Sequence, residues 1–456
     1  MTSARSHQGY APAGRVAERS LLTVTPGRAR VALMAVLLAA AMPVRLFQSL
    51  PVVGSASILD LLLIAAAVTL FMDLAFRPID VGYPELFLLL SIPLVFATAS
   101  LVWSEDREAT LRAVLIYAES LIAYLFVVRE LSGLSPTRII TYIKRFSYLL
   151  IIPGVLLLLN VPGFEPRTDA APSSGDYLRY FTRFSHPILG SSNNLATLLA
   201  FFAPILLYWG HTRKDRKATT AAFVSLIAIV LTQSRGILLA FAVAALLYAP
   251  LAVRQPAAVR GLGAKIVATV VVGIAAFGIY YGLNSSTREF FKDRLTLTTV
   301  TERSELISLS LSSIASQPLT GYGAGVAPEV DVVTSPGQVT SLDLFSDLPV
   351  QRTGGGQLDV HNTFLQQAVY FGIPAALLIS LALCGTAGVF LARRRSIALA
   401  GVIGYALMVQ LVSFVFEASL EGTVLRVLFY LSVGLAMGLL RSVEQEPQAG
   451  GTDVSH

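Results

Sequence analysis

Long apolar runs broken by short polar segments make up most of the chain. A bilayer-spanning helix needs about 20 predominantly apolar residues, and that length finds twelve windows. They are Ala29–Phe47, Ile58–Phe76, Pro84–Val102, Leu111–Val128, Ile139–Asn160, Leu189–Trp209, Ala218–Gln233, Ile237–Val253, Ala264–Leu283, Thr363–Ala392, Ala398–Phe416 and Val424–Leu440. The pattern predicts an all-α polytopic membrane protein of about twelve transmembrane helices, with no soluble domain left over. Between the ninth and tenth windows lies a long polar loop, 284–360. Within it Leu306, Ile307, Ser310, Leu311 and Ile314 recur at helical spacing, and Thr299 with Glu302 offers a capping-box start. This predicts a short amphipathic helix opened by Arg303, its apolar stripe resting on the membrane and its end at Pro318.

Composition agrees with lipid as the main solvent: 54% of the 456 residues are hydrophobic and 14% charged, too few charges to cover a soluble protein of this length. The net charge of +6 does not point to nucleic acid, because the cations sit in short blocks at window ends, not on an aromatic-studded face. HTRKDRK (His211–Lys217) and Arg393–Arg395 are the strongest blocks. The positive-inside rule puts them, with 129–145, 254–265 and both termini, in the cytoplasm, and WSEDRE (Trp103–Glu108) and the loop 284–360 outside. The expected organisation is a disordered cytoplasmic tail at 1–28, a transmembrane domain at 29–440 behind an uncleaved first span, and a cytoplasmic tail at 441–456, in the cell membrane. Cys384, the single cysteine, excludes a disulfide framework and reads as a small buried hydrophobe.

With the anchoring charges set aside, Arg235, Arg303 and His361 remain, all assigned to the outer face. Arg235 lies in TQSRGIL, a turn too short to need a cation for topology, although a snorkelling anchor is the plain alternative. Arg303 alone reads as one more charge on a wet helix face. His361 precedes the tenth window in HNTFLQQ, where an imidazole titrates near neutral pH; equally, Asp359, His361 or Asn362 caps that helix. GYGAG (Gly321–Gly325) lacks the strand and βαβ frame of a nucleotide site and reads as backbone that turns sharply or approaches something closely, as does Gly354–Gly356. Asn193 and Asn194 open the sixth window, where capping accounts for one and substrate contact for the other. Glu119 inside the fourth window is functional or pairs helices, and His186 is a loop histidine or a secondary ligand.

Together SRG at the end of a span, Arg303 four residues before Ile307, QPLTGYGAG and HNTFLQQAVYFGIP after a long outer loop resemble the O-antigen ligase and polymerase family of bacterial membrane proteins. The resemblance is strongest from Arg235 to Pro374; with FSHPILGSSNNLA before it, the family core runs over about 184–374. It implies transfer of a glycan from a polyprenyl pyrophosphate to an acceptor hydroxyl on the outer face. Arg235 and Arg303 would hold the pyrophosphate, Asn194 and Asn362 would contact substrate, and His361 would act on the acceptor. Ile307, where the ligase form has Leu, leaves the acceptor open.

The chemistry suits these residue types. A guanidinium meets phosphate oxygens in a planar fork that Lys cannot reproduce, and an imidazole of pKa about 6.5 serves as general base. No Asp-x-Asp stretch marks a metal-bound sugar nucleotide, so a metal-independent, inverting transferase without cofactor is expected, acting on a lipid-linked donor and a glycan or lipid-linked acceptor. Membrane lipid and other polysaccharide-assembly proteins are the further expected partners. A polymerase of a surface polysaccharide or exopolysaccharide is the reading preferred here, against a ligase passing finished polymer to a lipid-linked core or protein. A lipid-linked-glycan flippase would need midplane polar residues and repeats, and a scaffold would need no titrating residue.

Overall fold

The computed structural model describes residues 45–50, 54–75, 80–158, 192–232, 234–252, 298–326, 329–330, 356–357, 362–394, 396–415 and 423–446. Eleven helices are described: α1 (Ile58–Leu74), α2 (Pro84–Ser100), α3 (Arg107–Leu131), α4 (Pro136–Leu158), α5 (Ser192–Thr212), α6 (Arg216–Leu231), α7 (Arg235–Ala252), α8 (Thr298–Ser316), α9 (Thr363–Arg393), α10 (Ala398–Ser413) and α11 (Thr423–Gln445). Ten of the twelve apolar windows coincide with one of them. Five helices are long and apolar enough to cross a membrane: α3, α4, α5, α9 and α11. The ninth window lies outside the described residues, as does the first up to Pro43 and Val44; Arg45–Leu50 (β1) pairs antiparallel with Gly54–Ser57 (β2). A second short ribbon, Glu329–Val330 (β3) with Gly356–Gln357 (β4), was equally unforeseen from hydropathy.

Helix starts follow the local sequence. Asp106 caps α3 by accepting from the Ala109 amide at 2.9 Å, and Asp215 caps α6 through the Ala218 amide at 3.1 Å. In the bundle, α5, α10 and α11 are buried over nearly their whole length, while α1, α2, α7 and α9 turn Phe71, Leu88, Val95, Leu246 and Leu381 outward. Apolar side chains outside and glutamines, serines and Arg426 inside is the reverse of a soluble protein and the arrangement a lipid solvent selects. Cys384 is on this outward face, exposed rather than buried, because its turn of α9 faces lipid instead of a neighbouring helix. Gly434 and Gly438 of α11 bring that helix against Val127 and Leu131 of α3, the close approach that small residues at four-residue spacing permit.

One end of the bundle is stitched by charges. Lys144 binds Asp215 at 2.8 Å, Arg213 binds Glu446 at 2.5 Å, Arg393 binds Glu85 at 2.6 Å, and Arg441 reaches Asp80 at 2.6 Å. Arg393 also lies 3.7 Å over the Tyr83 ring, whose hydroxyl donates to Glu444 at 2.6 Å; burial and that carboxylate hold the phenol protonated well above its ordinary range. The segments 129–145, 210–217, 393–394, 396–397 and 441–446 thus share one end, as the charge reading requires of a common side.

Candidate functional site

At the opposite end, α9 is two helices in one. Gly372 breaks it with φ 76° and ψ 170°, a conformation open to glycine and closed to other residues, and Pro374 follows. A proline withholds a hydrogen bond from the carbonyl four residues earlier, here Tyr370, and inside a membrane that carbonyl must find another donor. The Gly323 amide supplies it at 2.9 Å. The Ile373 amide turns away from Val369 to donate to the Pro318 carbonyl at 2.7 Å, and the Tyr322 amide fills the vacancy at Val369 at 3.0 Å. Three backbone groups released by the break, the Val369 and Tyr370 carbonyls and the Ile373 amide, are thus taken up by the loop Pro318–Gly323. The fit is backbone against backbone: Gly321 has φ 62°, and a Cβ there would lie 2.5 Å from the Tyr370 carbonyl carbon. The close approach expected of GYGAG is therefore real, and its target is the chain itself.

The same loop is fastened to the turn between α2 and α3. Trp103 Nε1 donates to the Thr320 carbonyl at 3.0 Å, and the Ala324 amide donates to the buried Ser100 Oγ at 3.1 Å. α8 delivers the loop. Its inner face packs Ile314 against Ala368, Val369 and Ala376 of α9 with Ser310 buried beside them, and Ile307 and Leu311 point outward. The stripe expected to lie on the membrane is thus split: part seats on α9 and part remains free for lipid. α8 itself begins at Thr298, one residue before the predicted cap, and stops at Ser316.

Asn362 caps α9: its Oδ1 accepts from the Phe364 and Leu365 amides at 3.0 and 3.1 Å. The Thr363 amide donates to the Phe414 carbonyl at 3.0 Å, which ties the start of α9 to the end of α10. Arg235 opens α7 and Asn194 lies in the first turn of α5, both at the end of the bundle where α9 starts; Arg303 lies in the first half of α8, whose second half packs on α9. His361 and His186 lie outside the described residues, and of Arg235, Arg303 and Asn194 the backbone alone is described. Glu119, in the middle of α3, is partly buried. Among the described residues no group of three or more His, Cys, Asp or Glu side chains gathers to hold a metal ion.

Sequence reasoning missed a buried polar cluster just beneath this end. Gln366 and Gln367, in the first turns of α9, are both fully buried. The Tyr117 hydroxyl of α3 donates to Gln367 Oε1 at 3.2 Å, and the guanidinium of Arg426, on α11, lies 3.9 Å over the Tyr117 ring. Arg426 is 3% exposed. Deeper, Gln410 of α10 donates to Ser432 of α11 at 3.5 Å. The inner side of this end of the bundle is therefore polar, where hydropathy shows only apolar windows. The available signal was Arg426 itself, the cation inside the last apolar window.

These features define a multi-pass helical membrane protein whose polar residues converge at one end of the bundle, beside a broken helix. Residues 220–380 match the family model described as O-Antigen ligase. That segment, from α6 through the break in α9, supports the resemblance to the O-antigen ligase and polymerase family. It contains Arg235, Arg303, His361 and Asn362; Asn194, Tyr117 and Arg426 fall outside it. No curated protein matches the chain.

Proposed function

We propose that the protein transfers an oligosaccharide from a polyprenyl pyrophosphate to an acceptor hydroxyl on the outer face of the cytoplasmic membrane, as polymerase of a surface polysaccharide or exopolysaccharide. The observation that carries this reading is that Arg235, Arg303 and His361 all fall within the matched segment 220–380, whose helices bring α7, α8 and the start of α9 to one end of the bundle. Arg235 and Arg303 grip the pyrophosphate oxygens, and His361 approaches the acceptor. The acceptor oxygen bonds to the anomeric carbon as the bond from that carbon to the pyrophosphate oxygen breaks. The leaving pair stays on the pyrophosphate, where the two guanidinium groups stabilise it. The acceptor proton passes to the imidazole, and attack opposite the leaving group inverts the anomeric centre. Two bidentate cations meet the charge that a divalent ion neutralises in other transferases, so metal independence is part of the reading. Asn362 fixes the start of α9, its Oδ1 committed to the cap.

The test is transfer by purified protein from a defined lipid-linked oligosaccharide. His361→Ala is expected to lower the rate about 100-fold or more, the scale of a lost general base, while the protein still inserts and still binds donor. EDTA is expected to change nothing, and the product to be a ladder of joined repeats. Undiminished transfer by His361→Ala, or loss in EDTA with recovery in Mg²⁺, contradicts the mechanism. A single finished polymer moved whole to an acceptor lipid points to the ligase.

A further inference from the structure

The turn between α2 and α3 lies outside the matched segment, yet it holds the loop that fills the break in α9. Gly323 is where the three meet. Its amide donates to the Tyr370 carbonyl at 2.9 Å, and a Cβ on it, at φ 111°, would lie 2.5 Å from Ser104 Oγ. Ser104 is itself fixed, since its hydroxyl donates to the Asp106 carbonyl at 3.0 Å and accepts from Thr110 Oγ1 at 2.6 Å. On either side of Gly323, Trp103 Nε1 donates to the Thr320 carbonyl at 3.0 Å and the Ala324 amide donates to Ser100 Oγ at 3.1 Å. Ala324 is fully buried, so losing the Ser100 hydroxyl strands a buried amide.

The end of α8 is joined to this loop as closely. The Gly321 amide donates to the Gln317 carbonyl at 3.1 Å, and the Ser316 and Tyr322 hydroxyls share a hydrogen bond of 2.6 Å. α8 seats one face on α9 through Ile314 and leaves Leu311 exposed on another, so the anchored end sets its angle. Arg303 lies thirteen residues before Ser316, roughly 20 Å along a helix axis. At that reach a tilt of about 3° moves the Arg303 backbone by about 1 Å, and a misplacement of that size costs on the order of 100-fold in rate.

We infer that Trp103 and Ser100 are positioning residues for transfer: by holding the loop from Thr320 to Ala324 they fix the angle of α8 and with it the place of Arg303. This rests on the pyrophosphate-donor reading. It gives the α2–α3 turn a part in the chemistry, exerted through α8 and not on the substrate.

Two readouts on the full chain in nanodiscs test it. The first is the rate of transfer from a lipid-linked oligosaccharide; the second is the distance between spin labels at Ile307 of α8 and Leu377 of α9, both exposed, in a Cys384→Ser background. The double variant Trp103→Phe with Ser100→Ala is expected to lower kcat about 10-fold or more, with donor KM within about threefold of native, and to broaden the label distance. Tyr430→Phe, which loses a hydroxyl bond to the Leu90 carbonyl in the middle of α2, is expected to leave both readouts native. Should the double variant not fold, Trp103→Phe, which keeps the ring and removes one donor, decides in the same direction. Native kcat in the variant, a lowered kcat with an unchanged label distance, or an equal loss in Tyr430→Phe overturns the inference alone. A native protein that transfers nothing from the lipid-linked donor overturns the transfer reading and this inference together.

Discussion

Asp215 holds two partners at once: one carboxylate oxygen caps α6 and the other accepts from Lys144 at 2.8 Å. The Lys144 ammonium holds its carboxyl below the usual range. A carboxyl lowered in the folded state stabilises the fold above the unfolded value, about 3.9, and the contribution disappears as pH falls through the folded value. Asp215→Asn keeps the cap and loses the charge, so it is expected to cost about 0.5–1 kcal/mol at pH 7, as a partly exposed pair does, and progressively less as pH falls below the unfolded value and the carboxyl takes up its proton. Thermal melts of both proteins across pH check this; an equal penalty at both extremes contradicts it. Single residues were unevenly legible in the sequence. The cap at Asn362 and the anchoring role of Arg213 and Arg393 follow from composition and position. Gln366, Gln367 and Arg426 did not stand out, because hydropathy averages over a window and cannot tell which side of a helix a polar group faces. Cys384 failed the same way, in the opposite direction.

The break in α9 belongs to no single residue. A uniform apolar window, Thr363–Ala392, predicted one helix, and the Gly372-Ile373-Pro374 sequence within it was the sign of a kink. Nothing in the window announced that a loop some fifty residues upstream would replace the lost hydrogen bonds, since that partnership is a tertiary fact. Gly372→Ala forces a forbidden backbone conformation and drives a Cβ into the Leu319 carbonyl, so a loss of about 3 kcal/mol or more is expected. Gly388, on the same helix, has open space where its Cβ would be, and Gly388→Ala is expected to be neutral or to stabilise by up to about 1 kcal/mol. Detergent melts of the two variants separate the clamp from helix propensity: equal effects remove the clamp from the explanation. Because the clamp lies between α8 and the start of α9, Gly372→Ala is also expected to slow transfer more than its stability loss accounts for.

In the whole bundle, lipid explains both what hydropathy captured and what it obscured. Helix lengths and the common end of the basic segments follow from one-dimensional rules, since a bilayer imposes length and charge asymmetry on the chain. The packing of α5, α10 and α11 at the centre has no such rule, because core and lipid-facing residues are equally apolar. The short ribbons β1–β2 and β3–β4 were hidden in segments read as a span and as a loop. What unites the molecule is a polar end built by helices distant in sequence, with the family segment supplying one part and α3 and α11 another. The most direct measurement is an experimental structure of the full chain with a polyprenyl pyrophosphate bound. The expected result has the guanidinium groups of Arg235 and Arg303 about 3 Å from phosphate oxygens, with the His361 imidazole opening onto the same cavity. A pyrophosphate bound elsewhere, or those three side chains facing different sides of the membrane, contradicts the proposed transfer.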